Sequence, residues 1–181
     1  GTPSLADKEA GNTSSMESLK LNSRSPEQTQ LLGSYLGELA QEADVFLLVG
    51  ELGTGKTCLV QGIARGLDVS EYAFSPSFVI LREYHGRLPL YHVDLYRLDR
   101  TEEIADLGLE EYFFGNGVCV VEWAEKGMEV VPCENLLITI HYVPVARAAR
   151  SILLRPQGKR YQELLGQLKT RKGMTALDPK C

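Results

Sequence analysis

The sequence predicts an α/β domain in three layers, a sheet flanked by helices with antiparallel hairpin additions. Three observations carry that expectation. Two continuous apolar runs, "DVFLLVG" (44–50) and "GVCVVEW" (117–123), have the composition of strands buried on both faces. Strand patterns alternate with helical ones along the chain, as a helix-flanked sheet requires. A glycine-rich turn, "GELGTGKT" (50–57), joins the first of those runs directly to a helix pattern.

The elements follow in order. Residues 1–24 are rich in Ser, Gly, Thr and charge, with Met16 a candidate natural start, and are expected to form a disordered N-terminal extension. A single domain is expected over 25–169. Its first helix opens at Ser25 as N-cap, with Pro26 at the first helical position and Gln28 placed for a capping box. Leu31, Leu32, Tyr35, Leu36 and Leu39 then share one face. After the "DVFLLVG" strand and the glycine-rich turn, "KTCLVQGIARGL" reads as a helix ending at Gly66. Two strands are expected over roughly 78–84 and 89–95, with a turn at His85-Gly86-Arg87. "RTEEIADLGLEEYFF" reads as a helix with acidic residues in its first turn. The "GVCVVEW" strand follows, then an antiparallel pair from "ENLLITIHYV" and "ARSILLRP", and a closing helix, "KRYQELLGQLK". Residues 170–181 are expected to be a flexible tail.

Composition narrows the function classes. The 181 residues, 44% of them hydrophobic, suffice for one domain with one core. No apolar run reaches the roughly 18 residues of a membrane span, so no membrane role is expected. Cys58, Cys119, Cys133 and Cys181 form no CxxC pair and read as free thiols of a reducing, cytoplasmic location, with Cys58 and Cys119 in core patterns. The three scattered histidines give no zinc pattern. Residues 1–146 carry 10 basic and 22 acidic side chains, net −12; residues 147–181 carry 9 and 2, net +7. An acidic body with a basic end does not grip nucleic acid over a whole face. The basic end reads as a solvated surface, or as a docking element for an acidic partner or a nucleic-acid backbone.

Gly50, Gly55, Lys56 and Thr57 satisfy G-x-x-x-x-G-K-[ST], and the required strand before and helix after are both predicted. In such a phosphate loop, glycines let backbone N–H groups curl around phosphate oxygens, and the helix N-terminus adds partial positive charge. The nucleotide-binding set is therefore Glu51, Leu52, Gly53, Thr54, Gly55, Lys56, Thr57 and Cys58. Lys56 would bridge the β- and γ-phosphates, and the Thr57 hydroxyl would ligate Mg²⁺. Two strands end in an acid that could face the metal: "VCVVE" in Glu122 and "LYHVD" in Asp94. The first is the more completely apolar, so Glu122 is assigned to Mg²⁺. Asp94 then orients or deprotonates an attacking water, or makes a second metal contact. Trp123 either stacks near the nucleotide or packs. The Ser77 hydroxyl in "FSPSF" is placed to sense the γ-phosphate or simply to turn the chain. Arg97 either reaches phosphate or pairs with Asp99 or Glu103.

Taken together, "GELGTGKT" (50–57), "SPSF" (75–78), "YHVDLYRL" (91–98) and "VEW" (121–123) resemble the TsaE (YjeE) family in order and spacing, over about 25–155. That family is a P-loop ATPase of bacterial tRNA threonylcarbamoyladenosine biosynthesis. The resemblance implies that the Lys56 loop binds ATP, that Thr57 and Glu122 are Mg²⁺ ligands, and that Asp94 is required for hydrolysis. It places Ser75 and Ser77 in a switch loop, with Ser77 where the family usually has Thr, and Trp123 beside the nucleotide. It further implies weak intrinsic hydrolysis and partners, TsaD and TsaB, whose threonylcarbamoyl-transfer complex is reset by ATP turnover; tRNA is met indirectly through that complex.

Two other classes compete. A small-molecule or nucleoside kinase on the same scaffold would need an arginine-bearing lid, for which "YRLDRTEE" is the nearest and a short candidate. A GTP-dependent switch would need an NKxD-type guanine-reading motif, and none follows "VEW".

Overall fold

The structure, a computed structural model, describes residues 17–71 and 80–177. It contains β1 (Leu19–Ser23), α1 (Pro26–Leu39), β2 (Val45–Gly50), α2 (Lys56–Gly66), β3 (Leu81–Tyr84), β4 (Leu90–Asp94) and α3 (Thr101–Ala105). Then come α4 (Glu110–Phe113), β5 (Val118–Glu122), β6 (Asn135–Val143), β7 (Ala146–Gln157) and α5 (Lys159–Lys169), with 3₁₀ turns at Ala124–Lys126 and Met174–Leu177. The seven strands form one sheet in the order β1-β7-β6-β2-β5-β4-β3. The central four, β6, β2, β5 and β4, run parallel. The outer strands are antiparallel additions: β3 on β4, β7 on β6 and β1 on β7.

Strand alternation divides the core between the two faces. Phe46, Leu48, Val118 and Val120 point to the face covered by α1, α2 and α5, where Leu36, Ile63 and Leu164 meet them. Val45, Leu47, Cys119 and Val121 point to the other face, against Ile104 of α3 and Phe113 of α4. Each such side chain, withdrawn fully from water, contributes about 1.5–3 kcal/mol. The two-sided apolar reading of β2 and β5 follows directly from this arrangement.

Helix α1 begins as expected: the Ser25 side chain accepts from Gln28 N at 3.2 Å. The Gln28 side chain returns to Arg24 N at 2.7 Å, one residue before the cap. Helices α1 and α2 run the same way in backbone contact. A Cβ on Gly33 would lie 2.4 Å from Leu59 O, and one on Gly37 2.2 Å from Ile63 O. Reciprocally, a Cβ on Gly62 would lie 2.2 Å from Gln30 O and one on Gly66 2.1 Å from Ser34 O.

Three boundaries differ from the sequence reading. Leu19–Ser23, expected within the disordered extension, forms strand β1, with Leu21 and Ser23 buried against β7. The helix expected over 100–114 is two short helices, broken where Gly108 turns left-handed at φ +66°. Part of the expected tail packs on the core: Met174 and Leu177 are buried, Tyr35 Oη donates to Lys172 O, and Arg171 pairs with Glu38 at 3.2 Å. Among the described residues, no helix is long and apolar enough to cross a membrane.

Candidate functional site

The site is built at the carboxyl ends of β2, β5 and β4, the end at which open α/β sheets bind ligands. From β2 the chain turns through Glu51–Gly55 into α2. Gly53 (φ +80°) and Gly55 (φ +107°) take left-handed conformations that a side chain would strain. Gly50 has no room for one, since a Cβ would lie 2.7 Å from Ile140 O. The result is a tight loop whose last turn feeds the N-terminus of an eleven-residue helix.

Lys56 is buried at 5% exposure, with its ammonium donating to Gly50 O and to Glu51 O at 2.9 Å. Trp123 lies over it, with Nζ 4.1 Å from the ring centroid. Such a cation–π contact is worth on the order of 0.5–2 kcal/mol. Burial pushes the Lys56 pKa down, and the negative charges of Glu122, Glu125 and Asp94 push it back up; burial wins. Trp123 itself is left-handed at φ 56°, a costly state for a bulky residue, and this turn sets its ring between Lys56 and Tyr96, whose ring is 4.9 Å away.

Glu122 and Asp94 are register partners on neighbouring strands, and Leu48 of β2 is the partner of Glu122 on its other side. Alternation turns both acids toward the α2 face, the face of the loop. Glu122, 7% exposed, holds one carboxylate oxygen 2.6 Å from His92 Nε2. Asp94 accepts from Tyr96 N at 3.0 Å, and Leu95 N donates to Glu122 O at 3.1 Å, tying the two strand ends together. Thr57, in the first turn of α2, is exposed. A hydroxyl and a carboxylate are hard oxygen donors, and these two flank the loop from α2 and β5, so the residues fit Mg²⁺ held jointly with phosphate oxygens.

A cavity of about 210 Å³ adjoins the loop, walled by Gly53–Gly55 and Cys58, by Ser25 and Pro26 at the start of α1, and by Arg150 of β7. A second hollow of about 270 Å³, beside Gln30, Gln61 and Arg65, touches none of the site residues.

The structure thus gathers Lys56, Asp94, Glu122 and Trp123 at one mouth. Ser75 and Ser77 lie outside the described residues. Cys58, expected in the core, is only half-buried because it faces the cavity, whereas Cys119 is fully buried. Of the acids suggested for Arg97, Glu103 is held by Arg100 at 3.4 Å. The sequence reading missed His92, although its position two residues before Asp94 puts both on one face. It also missed Tyr142 and Arg150, whose contacts with the loop depend on a hairpin folding over it.

Comparison with known proteins places the chain in a family. The profile described as "Threonylcarbamoyl adenosine biosynthesis protein TsaE" matches residues 23–152. A relative in Bacillus subtilis (strain 168), named tRNA threonylcarbamoyladenosine biosynthesis protein TsaE, is 42% identical over 154 residues, 84% of this chain and 95% of its own. One of the same name in Treponema pallidum (strain Nichols) is 44% identical over 118 residues, 65% of this chain and 87% of its own. The crystal structure of YdiB from Bacillus subtilis superposes with a TM-score of 0.75 at 37% identity, covering 85% of this chain and 95% of that one.

Proposed function

Because this chain belongs to the TsaE family, we propose that it serves tRNA threonylcarbamoyladenosine biosynthesis as a Mg²⁺-dependent ATPase. Its hydrolysis of ATP to ADP and phosphate resets the TsaD–TsaB complex that transfers the threonylcarbamoyl group, and tRNA is reached through that complex. One observation carries the reading: two carboxylates, Asp94 and Glu122, stand side by side at strand ends facing the loop that holds Lys56.

The roles divide by environment. Lys56 leaves the loop carbonyls and the Trp123 face for the β- and γ-phosphate oxygens, whose negative charge offsets the hydration its burial forfeits. Thr57 and Glu122 would hold Mg²⁺, which when bound neutralises phosphate charge as it develops. Asp94 orients a water in line with the γ-phosphorus and takes its proton as the new P–O bond forms and the bond to the β–γ bridging oxygen breaks. Trp123 screens the mouth from solvent. Ser75 and Ser77 serve as the switch loop.

Steady-state phosphate release from ATP, alone and with purified TsaD and TsaB, tests the reading. Stimulation by the partners that is lost in Asp94→Ala is the expected result. ATP binding without stimulated release, accompanied by faster phosphate transfer to a metabolite than to water, would overturn it in favour of a kinase.

A further inference from the structure

A phosphate loop binds anions only while its peptide N–H groups point inward, and something must hold them there before the anion arrives. In this protein five of the six carbonyls of residues 50–55 are taken by protein donors. Gly50 O and Glu51 O accept from Lys56, Glu51 O also from Thr54 Oγ1 at 2.8 Å, and Gly55 O from Leu59 N at 3.1 Å. The remaining two anchors come from the β6–β7 hairpin. Tyr142 Oη donates to Leu52 O at 2.6 Å, and Arg150 Nε donates to Thr54 O at 2.9 Å. Tyr142 and Arg150 are cross-strand register partners, and the guanidinium lies over the phenol ring, 4.7 Å from its centroid. Arg150 is fixed in turn by Arg147 O at 2.6 Å and Ala149 O at 2.8 Å.

We infer that Tyr142 and Arg150 are positioning residues that aim the loop's N–H groups at the nucleotide. A trans peptide is planar, with its C=O and N–H pointing in opposite directions. Holding Leu52 O on the hairpin therefore turns Gly53 N–H away from the hairpin, and holding Thr54 O does the same for Gly55 N–H. These are the two glycines in left-handed conformations, the pattern of an anion-binding nest. The lack of a side chain at Gly53 also makes room for the anchor, since a Cβ there would lie 2.9 Å from Tyr142 Oη. The hairpin thus supplies, from outside the loop motif, the preorganisation the motif needs.

The inference rests on the nucleotide reading above, and one titration separates the two. Magnesium-free ADP and AMP are titrated into the wild-type chain, Tyr142→Phe, Arg150→Met and the double variant, with thermal stability measured in parallel. Tyr142→Phe alters neither charge nor ring packing. It is expected to weaken ADP about tenfold and AMP less, because the loop grips the phosphate that AMP lacks, at nearly unchanged Tm. The double variant is expected to lose less than the two single losses combined, since both anchors hold one loop. Wild type that binds ADP, with Tyr142→Phe equal to it, overturns the anchor inference alone. Loss that tracks Tm, or that is equal for AMP and ADP, overturns it as well. Wild type that fails to bind ADP sinks the nucleotide reading, and the anchors fall with it.

Discussion

His92 Nε2 lies 2.6 Å from Oε2 of Glu122, a diagonal contact that joins β4, two residues before its end, to the last residue of β5 beside the phosphate loop. The ring fixes one carboxylate oxygen and so sets the direction of the other. Partners of this kind typically affect metal affinity about 10–100-fold. His92→Phe is expected to reduce the gain in ADP affinity on adding Mg²⁺ by roughly tenfold, while magnesium-free ADP binding stays as in wild type. Calorimetric titration with and without Mg²⁺ checks this; equal loss in both conditions would assign His92 to folding alone.

Lys56 is expected to cost stability in the empty protein. Burial holds its folded pKa below the ordinary lysine value of 10.5, so the unfolded chain binds more protons between the two values. Stability from this group is therefore lowest where the ammonium is charged, below the folded pKa, and rises with pH toward 10.5. Lys56→Met is expected to raise stability at pH 7 by about 1 kcal/mol, a few degrees in Tm, while abolishing ADP binding. Denaturant melts of both proteins at pH 7 measure it, and a destabilised variant would show that the Trp123 and carbonyl contacts outweigh desolvation.

Thiol reactivity offers a map of the cavity. Cys119 is buried, its pKa pushed up to about 12 by desolvation, and its thiol lies 3.2 Å from Tyr112 O. Cys58 borders the cavity and Cys133 is exposed. With maleimide, Cys133 is expected to react at once, Cys58 more slowly, and Cys119 only on unfolding. ADP at ten times its Kd should slow Cys58 alone, about tenfold. Peptide mapping by mass spectrometry reads all three. Unprotected Cys58 would place the nucleotide elsewhere.

Gly37→Ala is expected to destabilise by about 3 kcal/mol, because the new methyl would meet a backbone oxygen at 2.2 Å that cannot rotate away. Ser25→Ala, which removes only the helix cap, should cost about 1 kcal/mol. Urea melts that rank the two in the opposite order would refute the close approach of α1 and α2.

Much of this site could be read from sequence because its determinants are local. The loop motif needs only its own residues plus a strand and a helix, and β2 and β5 announced themselves as unbroken apolar runs. Glu122 and Asp94 were visible as acids ending such runs. The link from His92 to Glu122 was hidden because it depends on the register between two strands 30 residues apart. Tyr142 and Arg150 were hidden for the same reason: they reach the loop only after β6 and β7 pair and fold over it. Strand β1 and the turn at Met174–Leu177 are short segments whose order comes from the sheet and helix they pack on, so their own composition reads as loose chain. The break at Gly108 was legible in principle, as a glycine within the acidic helix pattern.

The glycine seam between α1 and α2 makes a mechanical part of these helices. Most helix pairs meet through side chains that can change rotamer and absorb a shift of about an ångström. Here peptide backbones touch at four points, and no compressible layer lies between them. One end of this paired beam carries Ser25, at the rim of the cavity, and Lys56, where the phosphate loop enters α2. Its far end lies against the turn after α5, through Glu38 and Arg171. A displacement at that far end would be passed toward the phosphate loop with little side-chain rearrangement to absorb it.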